Sequence, residues 1–170
     1  MMAPERVRRS KWAQLKPSFT AEPQSVVGEP INVRERAWRE WQKRRAPNGP
    51  YPEFVAYDWL EHQGFEEFRD FYYQVPIGGG RTVRGGFVID FVFKPSIAGV
   101  ETAAEVYGSA FHTAPVFGNA AEIKGVDRIK RDMMERNFSA VVYISEAVLL
   151  SNPTRAMTLG LMGVSTVEGP

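Results

Sequence analysis

Two carboxylates sit where carboxylates are costly. Asp90 lies inside the apolar run FVIDFVF (residues 87–93), and Glu105 lies inside VETAAEVY (residues 100–107). An unpaired carboxylate buried among apolar side chains is destabilising by several kcal/mol. A divalent cation is one partner that would hold such a group charged. An outward-facing position at a strand end is another explanation, as is an ion pair, for Asp90 with Arg81 or Arg84. Side chains alternate faces along a strand, so two neighbouring strands can aim Asp90 and Glu105 at a single ion. A hard cation such as Mg²⁺ takes one or two carboxylates and fills its other positions with water and phosphate. It can lower the pKa of a water and stabilise charge on a phosphate.

The elements that must position these acids are legible as a series. Residues 1–31 are rich in Arg, Pro, Ser and Glu and read as an extended or disordered arm. INVRERAWREWQKRRAP reads as a helix, with Asn32 at the N-cap, Glu35 three residues later, and Pro47-Asn48-Gly49-Pro50 as the stop. It carries Arg34, Arg36, Arg39, Lys43, Arg44 and Arg45, with Trp38 and Trp41 on one face. Residues 52–64 form a second helix with Phe54, Val55, Trp59 and Leu60 as its apolar stripe. Strands follow at 70–77, 87–93 and 100–107, separated by the glycine-rich turn GGGRTVRGG and by a Pro-Ser loop. Residues 109–122 read as a loop, 124–137 as a helix, and 139–144 as a buried strand. A last helix starts at Asn152-Pro153 and runs to about Gly160. The expected architecture is α/β, a mixed sheet flanked by helices, with the step from residue 100 to 144 a right-handed crossover.

Composition sets the bounds. The chain has 170 residues, 44% hydrophobic and 24% charged, which fits one domain and an extension. The division expected is an arm with its helix over 1–50, a domain over 51–162 and a tail over 163–170. With no cysteine there is no disulfide framework and no cysteine-ligated zinc. No secretory leader or membrane span is evident, so a cytoplasmic protein without membrane contact is the expectation. Net charge is +1, but residues 1–50 hold 11 basic and 5 acidic side chains, leaving the remainder acidic. A basic arm on an acidic body points to a polyanion such as DNA, or to a protein partner bound through residues 1–50.

The ordered set resembles the PD-(D/E)XK nuclease superfamily. Its parts are Asp90 in VIDFVF, Glu105-Val106-Tyr107-Gly108, Phe111-His112, the helix segment Asp127-Arg128-Ile129-Lys130-Arg131, and the strand AVVYI. Within that superfamily it looks like the very-short-patch-repair-like endonucleases and related small phage and bacterial proteins. The resemblance covers residues 50–160 and implies a restriction-endonuclease-like core and Mg²⁺- or Mn²⁺-dependent cleavage of DNA. A phage setting, with virion association, comes only from this resemblance. By the family's pattern Asp90, Glu105 and the Val106 carbonyl bind the ion. Glu53 matches the acid on the first helix. The usual lysine two residues after the second acid is Tyr107 here, which carries no positive charge. A migrated cation could replace it: Lys130 is preferred over Arg131 or Lys94, the last about 13 Å along the strand from Asp90 at about 3.3 Å per residue. His112 is a candidate general base or phosphate contact. The zinc site of the mismatch-repair enzymes is absent, so their specificity is not implied.

Two functions are therefore expected. One is a metal-dependent endonuclease in which the helix cations Arg34, Arg36, Arg39, Lys43, Arg44 and Arg45, with Arg81 and Arg84 of the glycine turn, grip the phosphate backbone. The other is a catalytically degenerate nuclease-fold subunit with a scaffold role in a phage particle or nucleic-acid complex. Tyr107 and the two arm tryptophans motivate the second.

Overall fold

The computed structural model describes residues 31–83, 85–108 and 120–169. The expected arm before residue 31, Arg84 and the Phe111-His112 pair lie outside those residues. Two helices come first, α1 (Ile31–Arg44) and α2 (Tyr51–His62). The chain then forms β1 (Phe71–Ile77), a 3-10 turn (Gly80–Thr82), β2 (Phe87–Phe93), a one-turn helix α3 (Pro95–Ala98) and β3 (Thr102–Tyr107). It continues through α4 (Ala120–Asn137), β4 (Ala140–Ser145), α5 (Glu146–Ser151) and α6 (Pro153–Leu161).

The sheet order is β1-β2-β3-β4, with β1–β2 and β2–β3 antiparallel and β3–β4 parallel. This is the mixed α/β sheet expected from the hydrophobic runs. The parallel step needs a long crossover, and α4 lies within it. Helices cover both faces, which is why FVIDFVF is almost continuously apolar. On one face Trp59, Leu60, Phe71, Phe91, Phe93, Ile144, Leu149 and Met157 form the larger core under α2, α5 and α6. On the other, Met134 of α4 closes over Val92 and Ala103.

Local chemistry explains the boundaries. Asn152 Oδ1 accepts from Arg155 N at 2.9 Å, and Pro153 opens α6 with a φ already suited to a helix. The Pro-Ser stretch expected as loop contains α3 for the same reason, since Pro95 stands in its first turn. Asn32 is helical rather than the cap of α1, because the helix already includes Ile31. The C-terminal tail, which carried no signal in sequence, lies along β4: Thr166 N donates to Tyr143 O at 2.9 Å, and Tyr143 N donates to Ser165 Oγ at 3.0 Å.

Helix α1 is joined to the core by Trp41, which is 2% exposed. Its indole packs on Phe54, Tyr57 and Tyr73 with ring centroids 5.7, 5.7 and 5.5 Å away. The Gly49 carbonyl accepts from Trp38 Nε1 at 3.0 Å and Gln42 Nε2 at 2.9 Å, which binds the turn after α1 back onto it.

The pleat changes face in the middle of the β1–β2 hairpin. Tyr73 and its partner Phe91 look into the larger core. The next residues on the same pleat, Val75 and its partner Ile89, pack instead on the α4 side. Between them lie Gln74 and Asp90, and Gln74 has a left-handed φ of 51°. Outside glycine that conformation costs about 1–2 kcal/mol.

Because Trp41 is core rather than arm, Trp41→Ala should lower stability by about 3–5 kcal/mol in urea denaturation, as large aromatic deletions do. Arg36→Ala on the exposed face of the same helix should stay within about 0.5 kcal/mol of wild type. Equal small effects of the two would contradict the packing described.

Candidate active site

The backbone ladder between β2 and β3 ends at Phe91 and Ala104, and one step further the register sets Asp90 opposite Glu105. There side chains make the bonds that the main chains no longer make. Val106 N donates to Asp90 Oδ2 at 2.9 Å, and Asp90 N donates to Glu105 Oε1 at 3.2 Å. The two acids are thus stitched into the mouth of the hairpin and cannot turn away from each other without losing both bonds.

Lys130 reaches them from α4. Its Nζ donates to Glu105 Oε2 at 2.5 Å, with the two side chains only 22% and 12% exposed. Glu53 comes from the first turn of α2 and is 9% exposed. Its Oε2 accepts from Tyr73 Oη at 2.5 Å and Gln74 Nε2 at 3.3 Å, and the same Gln74 amide donates to Tyr73 Oη at 3.0 Å. Among the described residues its other oxygen, Oε1, accepts no hydrogen bond. Glu53, Asp90, Glu105, Val106 and Lys130 all line one cavity of about 550 Å³. Arg81, in the 3-10 turn, lines it too. Glycines 78–80 all have positive φ, which lets that turn fold tightly and hold Arg81 at the rim.

Electrostatics sets the cavity apart. Burial pushes the Asp90 carboxyl well above the usual carboxylate range, and the like charges of Glu105 and Glu53 push it further. Glu105 is also raised by burial, against the opposing pull of Lys130. Glu53 is raised by burial, opposed by its bonds from Tyr73 and Gln74 and by the charges of Arg81 and Lys130. Three carboxylates therefore bear on one another, and Lys130 is the nearest positive charge to the pair on the sheet. Tyr73 is raised by burial and by Glu53.

The donor set fits a hard divalent ion. Asp90, Glu105, Glu53 and the Val106 carbonyl offer only oxygen, the chemistry of Mg²⁺ and Mn²⁺ sites. Among the described residues, no three His, Asp or Glu side chains are already closed into a coordination cluster.

The other expected residues sort by distance from this cavity. Lys94 is remote: its Nζ donates to the Phe68 carbonyl at 2.5 Å and sits 4.4 Å from the Tyr72 ring centroid. Arg131 lines the cavity but also donates through Nε to Glu135 at 2.8 Å. His112 and Arg84 lie outside the described residues. On α1, Arg39 pairs with Glu35 at 3.6 Å and Lys43 with Glu40 at 2.8 Å. Arg45 grips Glu67 with two nitrogens, Nε to Oε2 at 2.6 Å, and Tyr57 Oη supports the same carboxylate at 2.9 Å. Arg36 and Arg44 are exposed, and Arg34 is partly buried.

Three residues at the site were not singled out by sequence. Gln74 carries no sequence signal, because a left-handed glutamine looks like any strand residue. Tyr143 on β4 is 7% exposed, its hydroxyl has no hydrogen-bond partner among the described residues, and burial pushes it up to about 12. Glu146 also lines the cavity. Its carboxylate lies close against Gly108, so a side chain at that position would have to displace it.

A linkage prediction follows from Asp90. Below the ordinary carboxylate pKa both folded and unfolded forms are protonated and the site carries no penalty. As pH rises toward the raised folded value, the unfolded chain ionises first, so the folded state binds more protons and loses stability. Asp90→Asn lacks that loss. In EDTA its melting temperature relative to wild type should climb between pH 4 and pH 8, by about 2–4 °C for each kcal/mol relieved. A constant difference across that range would contradict the electrostatic description.

No family model matches the chain, and no curated protein or solved structure does either, so a functional reading stands on the geometry above.

Proposed function

We propose that the chain is a metal-dependent endonuclease that hydrolyses phosphodiester bonds in DNA, on a restriction-endonuclease-like core of the PD-(D/E)XK kind. One observation carries the reading: Asp90 and Glu105 meet at the parting of β2 and β3, and a lysine from another element bonds the second acid. Tyr107 stands where the family's lysine is usual, and Lys130 brings an ammonium to the same carboxylate from α4. The loss of charge at one position is thereby compatible with retained chemistry.

Asp90, Glu105 and the Val106 carbonyl would hold the ion. When bound, Mg²⁺ or Mn²⁺ supplies Lewis-acid charge for the scissile phosphate and lowers the pKa of a nearby water. The chain's own residues do the rest. Lys130, which bonds Glu105 and lines the cavity, would neutralise charge developing on a non-bridging phosphate oxygen. Glu53, with one oxygen held by Tyr73 and Gln74, lines the cavity and would offer its carboxylate as an acceptor for the attacking water. Arg81 at the rim is suited to an adjacent phosphate. Arg36 and Arg44, exposed on α1, are the helix cations best suited to backbone affinity, since Arg39, Lys43 and Arg45 already pair with glutamates. That affinity should weaken with salt.

The scaffold reading keeps Tyr107 as its motive and loses most of the other. Trp41 is used inside this chain, and Trp38 is bonded to Gly49.

The proposal predicts nicking of supercoiled plasmid with Mg²⁺ or Mn²⁺. Asp90→Ala and Glu105→Ala should abolish it, and Lys130→Ala should lower kcat by about 10²–10³-fold, the scale for one transition-state charge contact. Absence of nicking by wild type, or equal nicking by Asp90→Ala, removes this reading. Mn²⁺ should also raise the melting temperature of wild type and not of Glu105→Ala. A scaffold subunit would show no such response.

A further inference from the structure

The geometry points to Gln74 as a positioning residue for Glu53, held in a strained left-handed conformation so that its amide and the neighbouring tyrosine can seize one carboxylate together. In a regular strand, successive side chains leave opposite faces, so Tyr73 and Gln74 could not reach the same group. Here they do: Tyr73 Oη and Gln74 Nε2 both donate to Glu53 Oε2, at 2.5 and 3.3 Å, and Gln74 Nε2 bonds the tyrosine oxygen at 3.0 Å. The φ of 51° at Gln74 makes this possible, and the change of pleat between Tyr73 and Val75 is its trace in the packing. Gln74 also falls opposite Asp90, at the one gap in the β1–β2 register.

The conformation is not forced by a turn or a proline. Glycine or asparagine would adopt it at lower cost, yet only a longer amide reaches Glu53 from this backbone. The consequence is directional. Both bonds end on Oε2, which fixes the carboxylate of a residue that lines the cavity. Strained backbone at a site of this kind is a device for preorganisation. The role of Glu53 in cleavage rests on the endonuclease reading; the positioning of its carboxylate by Gln74 does not.

The test compares full-length Gln74→Gly and Gln74→Ala with wild type. Gln74→Gly removes both the amide and the strain. It should melt no lower than wild type and above Gln74→Ala. In plasmid nicking it should lose about 10–100-fold in kcat or in Mn²⁺ affinity, the scale for a group that orients a site carboxylate, with KM for DNA nearly unchanged. Wild-type nicking by Gln74→Gly overturns the proposal. So does a loss of stability equal to that of Gln74→Ala with cleavage kept, which is the mark of a merely structural residue. A metal-free double-mutant cycle of Gln74→Gly with Glu53→Ala reads the contact without any activity. Non-additive melting temperatures support the positioning role, and additive ones overturn it. If wild type neither nicks nor responds to Mn²⁺, the endonuclease reading falls, and the cycle still decides the claim about Gln74.

Discussion

The site depends on a repulsion that the fold does not let relax. Asp90 and Glu105 occupy facing positions where the β2–β3 ladder ends; the Glu105 carboxylate accepts from Asp90 N, and the Asp90 carboxylate accepts from Val106 N. Neither can swing out to water without abandoning a buried donor, which costs about 1–3 kcal/mol. Glu53 adds a third negative charge from α2. The fold therefore concentrates carboxylates in a partly dry cavity and offsets them with Lys130 from the helix on the opposite face. That arrangement makes little sense as a device for stability, because apolar residues of similar size would hold the same strands with no charge to neutralise. It is consistent with the cation site that we propose.

The surrounding structure serves this arrangement. The helices on both faces keep the sheet dry, and a dry sheet makes a charged carboxylate at Asp90 costly. The β3–α4–β4 crossover carries Lys130 across to Glu105. Trp41 and the Gly49 turn draw α1 against α2, and the start of α2 brings Glu53 to the cavity. Gly108 leaves room for Glu146. Two non-glycine residues have a left-handed φ, Phe68 before β1 and Gln74 within it, and only Gln74 touches the site.

Much of this was legible in the sequence, for physical reasons. A carboxylate inside FVIDFVF and another inside VETAAEVY break an apolar pattern, and such breaks are visible without a structure. The strands and most helices were marked by apolar runs, by Gly64 after α2, and by Asn152-Pro153 before α6. Other features left no trace. Gln74 is an ordinary strand residue by type, and its left-handed backbone is a property of the packing around Glu53. The tail along β4 is held by hydroxyls of Ser165 and Thr166, which read as loop residues. The six cations between Arg34 and Arg45 looked alike in sequence, yet Arg45 belongs to Glu67 and Lys43 to Glu40, because pairing across space or along a helix face is decided by geometry that a residue count does not contain.

The most direct test is a crystal structure with Mn²⁺, read through its anomalous scattering. One peak is expected within coordination distance of Asp90 and Glu105, with Lys130 displaced from Glu105 Oε2. A structure at saturating Mn²⁺ with no peak at that place, and with Lys130 still bonded to Glu105, would contradict that expectation.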